Sequence, residues 1–126
     1  MNKLHIEKTT EKDLVHIVDL WNHGQVMFYV GFPNGLGVTI DGLKTKWLPH
    51  INVDLKRCHY SIYHDELGYC GESYYEVLDD GSCALDIKLL PTAQGKGIAY
   101  HGLMHAIDHA FLDGHATYVY VDPHKD

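Results

Sequence analysis

The chain has 126 residues, 45% of them hydrophobic, and a formal net charge of −7 with histidine neutral. This size predicts a single domain with a modest core, and the sequence has no run of the roughly 20 apolar residues that a membrane span needs. Since neither a basic patch nor a signal peptide is visible, we expect a cytoplasmic protein without nucleic-acid or membrane partners.

The N-terminal half predicts one strand, two helices and a long loop. Residues 3–8 alternate apolar and polar, which is typical of a strand. Residues 11–22 are predicted to be helical because Thr10 can cap them and because apolar residues follow at helical spacing, namely Leu14, Ile17, Val18 and Trp21. Glycines and a proline punctuate residues 23–42 and predict an ordered loop. A second helix is expected over 43–48, where a proline stops it.

Three strands are predicted in the middle of the chain, over residues 57–64, 67–78 and 82–90. The turn Asp79-Asp80-Gly81 between the last two is typical of a hairpin. In the third strand, leucine and isoleucine at odd positions 85–89 face one side, and Asp86 and Lys88 face the other. The three cysteines also fall in these strands. Their odd number and the lack of a CxxC pair favour reduced, partly buried thiols over disulfides or a cysteine zinc site.

A helix over 97–112 and a last apolar strand over 116–121 complete the predicted elements. The helix carries an apolar stripe of six residues, namely Tyr100, Leu103, Met104, Ile107, Ala110 and Phe111. The order β-α-(α)-β-β-β-α-β predicts one α/β domain whose sheet has mixed pairing.

The most informative segment is the turn between the strand 82–90 and the following helix, Gln94-Gly95-Lys96-Gly97-Ile98-Ala99. Glycines allow close approach to a phosphate, and main-chain N–H groups at a helix N-terminus form an anion site. Two familiar phosphate loops do not match. A Walker loop needs Ser or Thr where Gly97 stands, and the third glycine of a dinucleotide fingerprint is replaced by Tyr100.

The pattern Gln/Arg-x-x-Gly-x-Gly/Ala does match, and the segment resembles the pyrophosphate loop of GNAT N-acetyltransferases. The preceding Leu89 to Pro91 and the apolar helix that follows are also similar to that family. The resemblance covers nearly the whole chain. It is specific over residues 84–122 and vague over 23–56. It implies the GNAT acyl-CoA N-acyltransferase fold, an α/β (α+β) architecture with a mixed, mostly antiparallel sheet flanked by helices.

By this resemblance, acetyl-CoA is the co-substrate and a small-molecule or peptide amine is the acceptor. The main chain of Ile87, Lys88 and Leu89 would pair with the pantetheine arm. The pyrophosphate would be held by main-chain amides of the loop, from Gln94 through Gly95, Lys96, Gly97 and Ile98 to Ala99. A neutral amine would attack the thioester directly, and an N–H near Leu89 would stabilise the oxyanion.

The resemblance leaves the general base open. Asp86 on the coenzyme strand, Glu72 and Glu76 on its neighbour, and Tyr120 on the last strand are candidates, and water can replace any of them. The aromatic and glycine stretch over residues 27–37 fits either an acceptor-binding lid or a loop packed on the sheet. An acyl-CoA-binding module without turnover is the alternative function.

Relatives of this family continue after the last strand with a helix and two more strands, so the resemblance predicts a single domain over 1–126 that is incomplete at its C-terminus. Apolar surface around Val119 and Val121 would then be exposed, and we expect a homo-oligomer, which light scattering would detect. Eleven histidines raise the possibility of a metal site. His101, His105, Asp108 and His109 share one helix face, which we interpret as solvated surface opposite the apolar stripe, without a bound metal.

Overall fold

The computed structural model describes residues 3–28, 31–32 and 34–121. Its described strands form one five-stranded sheet in sequence order. The first four strands pair antiparallel, and the last pairs parallel to the fourth. The strands are β1 Leu4–Lys8, β2 Arg57–His64, β3 Gly68–Val77, β4 Ser82–Leu89 and β5 Tyr118–Val121. The predicted strands and their mixed pairing are therefore confirmed.

Within the described ranges, four α-helices accompany the sheet, namely α1 Leu14–Trp21, α2 Gly24–Met27, α3 Ile40–Lys46 and α4 Ile98–Leu112. A short 3-10 turn precedes α1, and there the Asp13 carboxylate accepts the main-chain N–H of Thr10 at 2.8 Å. The predicted helix over 11–22 is thus split into a turn and a helix. In the predicted loop over 23–42, Tyr29, Val30 and Pro33 lie outside the described residues, as do residues 122–126 and the side chain of Val121.

Helix α4 covers one face of the sheet, and its contact with β2 to β4 makes the main core. Tyr75, Cys58 and Cys83 are fully buried in this core, together with Ala106 and Ala110 of the helix. This face is almost entirely apolar, as the alternation in β4 predicts. Cys58, Cys70 and Cys83 carry free, buried thiols, and burial raises the pKa of Cys70 and Cys83.

The side of α4 that meets the sheet differs from the predicted stripe. The buried positions are mostly small residues one turn apart, namely Ile98, Gly102, Ala106 and Ala110. The helix lies so close that a Cβ on Gly102 would stand 2.8 Å from the Ile62 Cδ1. Tyr100, Met104 and Phe111 are exposed, so the prediction was wrong for these three residues. Side-chain size explains which face of α4 is buried, because large apolar residues do not fit between a helix and a sheet that are packed this closely.

The histidines of α4 also differ from the prediction. His105 and His109 are half-buried rather than solvated, and the His105 ring packs edge-on against Tyr60 with centroids 4.6 Å apart. They border the small-residue stripe instead of facing away from it. Across the described residues, no group of three or more His, Cys, Asp or Glu side chains is placed to hold a metal ion.

The opposite face of the sheet is covered by α1 and α3. Leu14, Ile17 and Leu20 of α1 pack with Leu43 of α3 and with Tyr69 of β3. This second core covers only the part of the sheet near β1 and the start of β3. Polar side chains of β2, β3 and β4 therefore lie beside it and face a cavity.

Strand β5 is an edge strand, and it is short. Tyr118 and Tyr120 are 53% and 47% exposed, whereas Val119 packs against the main core. The exposed apolar surface predicted here is thus made by the two tyrosines rather than by Val119. None of the helices in the described ranges has both the length and the apolar character to cross a membrane.

Candidate active site

The turn between β4 and α4 has the backbone that its glycines allow. Gly95 and Gly97 have φ of +75° and +78°, in the left-handed region that favours glycine. A Cβ built on either residue would meet nothing within 4 Å. Glycine is therefore required by the backbone conformation, and the space next to both residues is open to a ligand.

Main-chain N–H groups of this turn are free to bind a ligand. Among the described residues, the N–H groups of Gly95, Lys96 and Gly97 have no hydrogen-bond acceptor. Gly97 is the N-cap of α4, and no side chain caps the helix. The first N–H groups of an α-helix have no partner inside the helix. The turn and the helix start thus place several donors together, which favours an anion.

The neighbouring part of β4 has an open edge. The described pairing of β4 with β5 ends at Leu85 and Val121, so no described strand pairs with residues 86–89 on that side. The Ser82 carbonyl accepts from the Leu78 N–H just after β3, and the Leu90 N–H donates to the Cys70 carbonyl of β3, at 2.8 Å each. Since main-chain groups alternate along a strand, Ile87 and Leu89 direct theirs to the open edge. Lys88 turns its carbonyl to β3, close to Gly71.

Gln94 links the open edge to the turn. Its side-chain Nε2 donates to the Leu89 carbonyl at 3.2 Å, while its own N–H bonds back to Pro91. The sequence pattern indicated Gln94 as a source of a main-chain donor, and the side-chain contact was not predicted. It fixes the start of the turn to the end of β4. Ile98, which is buried, anchors the other end of the turn.

On the α1 face of the same strands lies a cavity of about 190 Å³. Two indole rings, Trp21 and Trp47, form one wall, with centroids 4.9 Å apart. The remaining lining residues come from β2, β3 and β4, and are Arg57, His59, Glu72, Tyr74, Asp86 and Lys88. Asp86 and Lys88 flank Ile87, so the cavity and the open edge share one stretch of β4.

Glu72 is the centre of the hydrogen bonds in this cavity, although its side chain is only 3% exposed. One carboxylate oxygen accepts from the Trp21 indole N–H at 2.7 Å and lies 2.9 Å from His59 Nε2. The other lies 3.6 Å from the Lys88 Nζ. Lys88 also forms an ion pair with Asp86. Every charge that is buried here has a partner, as burial requires.

The partners of Glu72 decide its charge. Burial by itself would raise the pKa of Glu72, but His59, Lys88 and the Trp21 N–H outweigh it and lower the pKa below its ordinary value. Burial lowers the pKa of Lys88, yet Glu72 and Asp86 raise it overall. Glu72 and Lys88 are therefore both ionised, and Glu72 is a weak proton acceptor.

His59 extends this network away from the cavity. Its Nδ1 lies 2.6 Å from the Thr9 hydroxyl, which lies 2.8 Å from the Ser61 hydroxyl. His59 is 2% exposed and was missed by the sequence analysis. Its signal was weak, because a polar residue at alternate positions of a strand is usually exposed. Aromatic rings cover it in the folded chain, namely Trp47, whose ring centroid is 4.8 Å away, and Trp21 and Tyr74 at 6.5 and 6.3 Å.

The structure brings two of the candidate bases together and leaves one apart. Asp86 and Glu72 both line the cavity. Glu76 lies beside it and accepts from the Tyr74 hydroxyl at 3.3 Å. Tyr120 pairs with Ala84 on the edge strand, and it is not among the residues that line this cavity. The candidate coenzyme residues, from Ile87 to Leu89 and from Gln94 to Ala99, form one continuous stretch from the open edge to α4.

Comparisons place this fold among known structures. The sequence matches no protein-family model and no curated protein. Spermidine N-acetyltransferase from Vibrio cholerae in complex with CoA and spermine matches with a TM-score of 0.78 and 21% identity, over 96% of this chain and 71% of that chain. The K23-Q34 chimera of SpeG from Vibrio cholerae and hSSAT matches with a TM-score of 0.76 and 21% identity, over 94% and 69%.

A dodecameric structure of the Vibrio cholerae enzyme in an intermediate state matches with a TM-score of 0.71 and 19% identity, over 96% of this chain and 70% of that chain. At such identities the structural similarity shows the fold, and it does not show the activity or the ligands. The described residues adopt the GNAT-type fold of these N-acetyltransferases, and the predicted fold class is confirmed.

Proposed function

We propose that this chain is an N-acetyltransferase that uses acetyl-CoA and transfers the acetyl group to an amine. One observation carries the proposal, namely the free N–H groups of Gly95 to Gly97 beside the open edge of β4. The similar structure of spermidine N-acetyltransferase holds CoA and spermine, which supports the same classes of ligand here.

The turn and the open edge fit a diphosphate followed by an extended amide chain. N–H groups from Gly95 to Ala99 would bind the pyrophosphate, and the two glycines leave room for it. Main-chain groups of Ile87 and the N–H of Leu89, whose carbonyl accepts from Gln94, would pair with the pantetheine arm as an added strand does. Acetyl-CoA supplies the acetyl group as a thioester. The Leu89 N–H is then positioned to donate to a carbonyl oxygen at that edge.

The acceptor would enter from the cavity on the α1 face, which shares β4 with the open edge. Asp86 is the better of the two cavity carboxylates for accepting a proton, directly or through water. Its side chain is 38% exposed, and its one ionic partner among the described residues is Lys88. Glu72 instead has both oxygens engaged and a lowered pKa. Glu72 would therefore hold the geometry of the cavity.

Self-association belongs to the same proposal. The exposed edge of β5, with Tyr118 and Tyr120, pairs with no other described strand and is proposed to pair with a second copy. One similar structure, that of the Vibrio cholerae enzyme, is dodecameric. We propose a homo-oligomer in solution. A monomer by light scattering at high protein concentration would contradict this part.

The loop assignment is tested by two substitutions at one position. Gly97→Asp adds a negative charge where the pyrophosphate would bind, whereas Gly97→Asn has nearly the same shape without the charge, and asparagine tolerates φ > 0. Coenzyme A affinity measured by calorimetry should fall at least about 100-fold in Gly97→Asp, or about 3 kcal/mol, and less than about tenfold in Gly97→Asn. Equal binding by all three proteins would refute the assignment.

A binding module without turnover is the second candidate. The hydrogen bonds and the lowered pKa of Glu72 favour it, because a buried carboxylate with a lowered pKa is a poor base. Release of free thiol from acetyl-CoA in the presence of amines separates the two. Binding of coenzyme A without thiol release for any amine would support the module.

A further inference from the structure

We propose that the acceptor carries a carboxylate as well as its amine, as a small amino acid does. This inference rests on the proposed function. Among the described residues, the cavity between β2 and β4 offers one free cationic group and one free carboxylate oxygen to a ligand, and both line the same cavity as Trp21 and Trp47. A zwitterion satisfies both groups, whereas an amine without an acid group satisfies one.

Most charges of the cavity already have partners inside the protein. Glu72 accepts from Trp21 and His59 and faces Lys88. Lys88 is shared between Glu72 and Asp86, and its side chain is 15% exposed. These groups therefore have little capacity left for a ligand. The groups that remain to bind the charges of a ligand are Arg57 and Asp86.

Arg57 presents a fixed but unpaired guanidinium. Its Nε donates to the Tyr74 hydroxyl at 2.8 Å, and its Cζ lies 6.0 Å from the centre of the Tyr74 ring. Among the described residues, its two terminal nitrogens have no hydrogen-bond or ion-pair partner. A guanidinium held at Nε displays the other nitrogens as a fork, and this fork matches a carboxylate with two parallel hydrogen bonds.

Asp86 supplies the opposite charge. Lys88 bonds to its Oδ2, and no described residue bonds to its Oδ1. Asp86 lies on β4 next to Ile87, at the edge where the acetyl group is proposed to bind. The ammonium group of the acceptor would therefore lie at Asp86, and its carboxylate would lie toward Arg57.

The spacing and the size of the cavity suit a small ligand. His59, Tyr74 and Asp86 lie in one row across the sheet, and Arg57 lies one row further along β2. With strands about 4.8 Å apart, the Cα atoms of Arg57 and Asp86 are about 12 Å apart, and their side chains shorten this gap. The cavity of about 190 Å³ is below the roughly 300 Å³ of a drug-sized site.

The same charges disfavour a polyamine. A second ammonium group on the acceptor would approach Arg57, and Glu76, whose Oε1 accepts from the Tyr74 hydroxyl, is not among the residues that line the cavity. Like charges within a small cavity repel strongly. We therefore expect acceptor preference to differ from that stated for the similar spermidine acetyltransferases.

Amino acids and their decarboxylated amines provide matched acceptors for the test. Histidine with histamine, leucine with isoamylamine, and lysine with cadaverine differ within each pair by the carboxylate alone, and spermidine completes the panel. We expect kcat/KM from thiol release to be at least about tenfold higher for the amino acid of each pair, which corresponds to about 1.4 kcal/mol. Equal rates, or a preference for the amines or for spermidine, would overturn the inference.

Variants then assign the preference to Arg57. Arg57→Met keeps an unbranched, flexible stem and removes the guanidinium, so the ratio within each pair should fall to about 1. Lys56→Met is the matched control, because Lys56 is the adjacent cation and its Nζ bonds to the Gly114 carbonyl instead. A ratio that stays high in Arg57→Met, or falls equally in both variants, would contradict the assignment.

Calorimetry separates a failure of this inference from a failure of the proposed function. Coenzyme A binding is measured first, without acceptor, and its absence refutes the proposed function. Binding of histidine and histamine is measured independently of turnover. Tighter binding of histidine that is lost in Arg57→Met supports the inference even without catalysis. Tighter binding of histamine, or binding of neither compound, would contradict the inference, whether or not coenzyme A binds.

Discussion

Both faces of strands β2 to β4 bury side chains, but the two faces are stabilised differently. On the α4 face, Cys58, Tyr75 and Cys83 are fully buried among apolar groups. On the α1 face, His59 and Glu72 are 2% and 3% exposed, yet they carry hydrogen bonds and charge. Apolar burial needs no particular partner, whereas a buried carboxylate is stable only with its donors in place. One face therefore holds the fold together and the other is suited to chemistry.

The largest expected effect is a loss in the free energy of unfolding when packing on the apolar α4 face is disrupted. Tyr75 is fully buried, and its hydroxyl donates to the Leu55 carbonyl at 2.7 Å. Tyr75→Ala should lower the free energy of unfolding by about 3–5 kcal/mol, because it leaves a cavity and an unpaired carbonyl. Urea unfolding measures this difference.

The adjacent residue is the matched control, since Tyr74 lies on the other face of the same strand and is only half-buried. Tyr74→Ala should lower the free energy of unfolding by less than about half as much. It should also weaken any carboxylate binding by releasing Arg57. If Tyr74→Ala destabilised the protein more than Tyr75→Ala, the proposed difference between the faces would be wrong.

A smaller effect that depends on pH is expected on the polar face. Glu72→Gln removes the charge that His59, Trp21 and Lys88 stabilise, and should lower the free energy of unfolding by about 2 kcal/mol near pH 7. Because the pKa of Glu72 is lower in the folded chain than its ordinary 4.5, this contribution is present above pH 4.5 and is lost as the pH falls through the folded pKa.

The difference in stability between wild type and Glu72→Gln should therefore shrink in acid. Urea unfolding at about pH 7 and about pH 4 measures it. Glu66→Gln serves as a control, because Glu66 is an exposed carboxylate that has Lys3 as its one ionic partner in the described part of the chain. A difference that stays constant with pH would show that Glu72 acts through packing rather than charge.

The smallest effect concerns the histidine pair that borders the apolar face. Burial, and then the neighbouring His109, lower the pKa of His105 below its ordinary 6.5. The folded chain thus binds a proton less readily than the unfolded chain there, and stability present above pH 6.5 is lost as the pH falls through the folded pKa.

His105→Leu should remove this loss. Between about pH 7 and about pH 5, the free energy of unfolding should therefore fall less in the variant than in the wild type, and the two falls should differ by under about 1 kcal/mol. His115→Leu provides a comparison, since His115 is exposed and lies outside the helix. An equal pH dependence in wild type and His105→Leu would exclude this role for His105.

The strands and the turn after β4 were predictable because their signals are local. The alternation in residues 82–90 predicted both faces of β4, and the glycines at 95 and 97 predicted a tight turn before a helix. The face of α4 was predicted wrongly at Tyr100, Met104 and Phe111. Hydropathy ranks large apolar residues as buried, and it carries no information on how closely a helix approaches its sheet.

The cavity needed the tertiary structure. Glu72 and Asp86 were selected from the sequence for their position on neighbouring strands, but nothing in the sequence paired Glu72 with Trp21, which is 51 residues away. His59 is covered by the Trp47 ring, and Arg57 is held by its hydrogen bond to the Tyr74 hydroxyl. Such contacts depend on strand register and on the path of α1 across the sheet, which are set by packing over the whole chain.

The sequence by itself determined the order of the elements, the faces of the strands and the glycine turn that begins α4, because each depends on neighbouring residues and on the backbone alone. The tertiary structure alone decided which helix face is buried, which charges are paired and which of them are left for a ligand. Those outcomes depend on distances between segments far apart in the chain, and they arise only when the sheet and its two layers of helices are packed together.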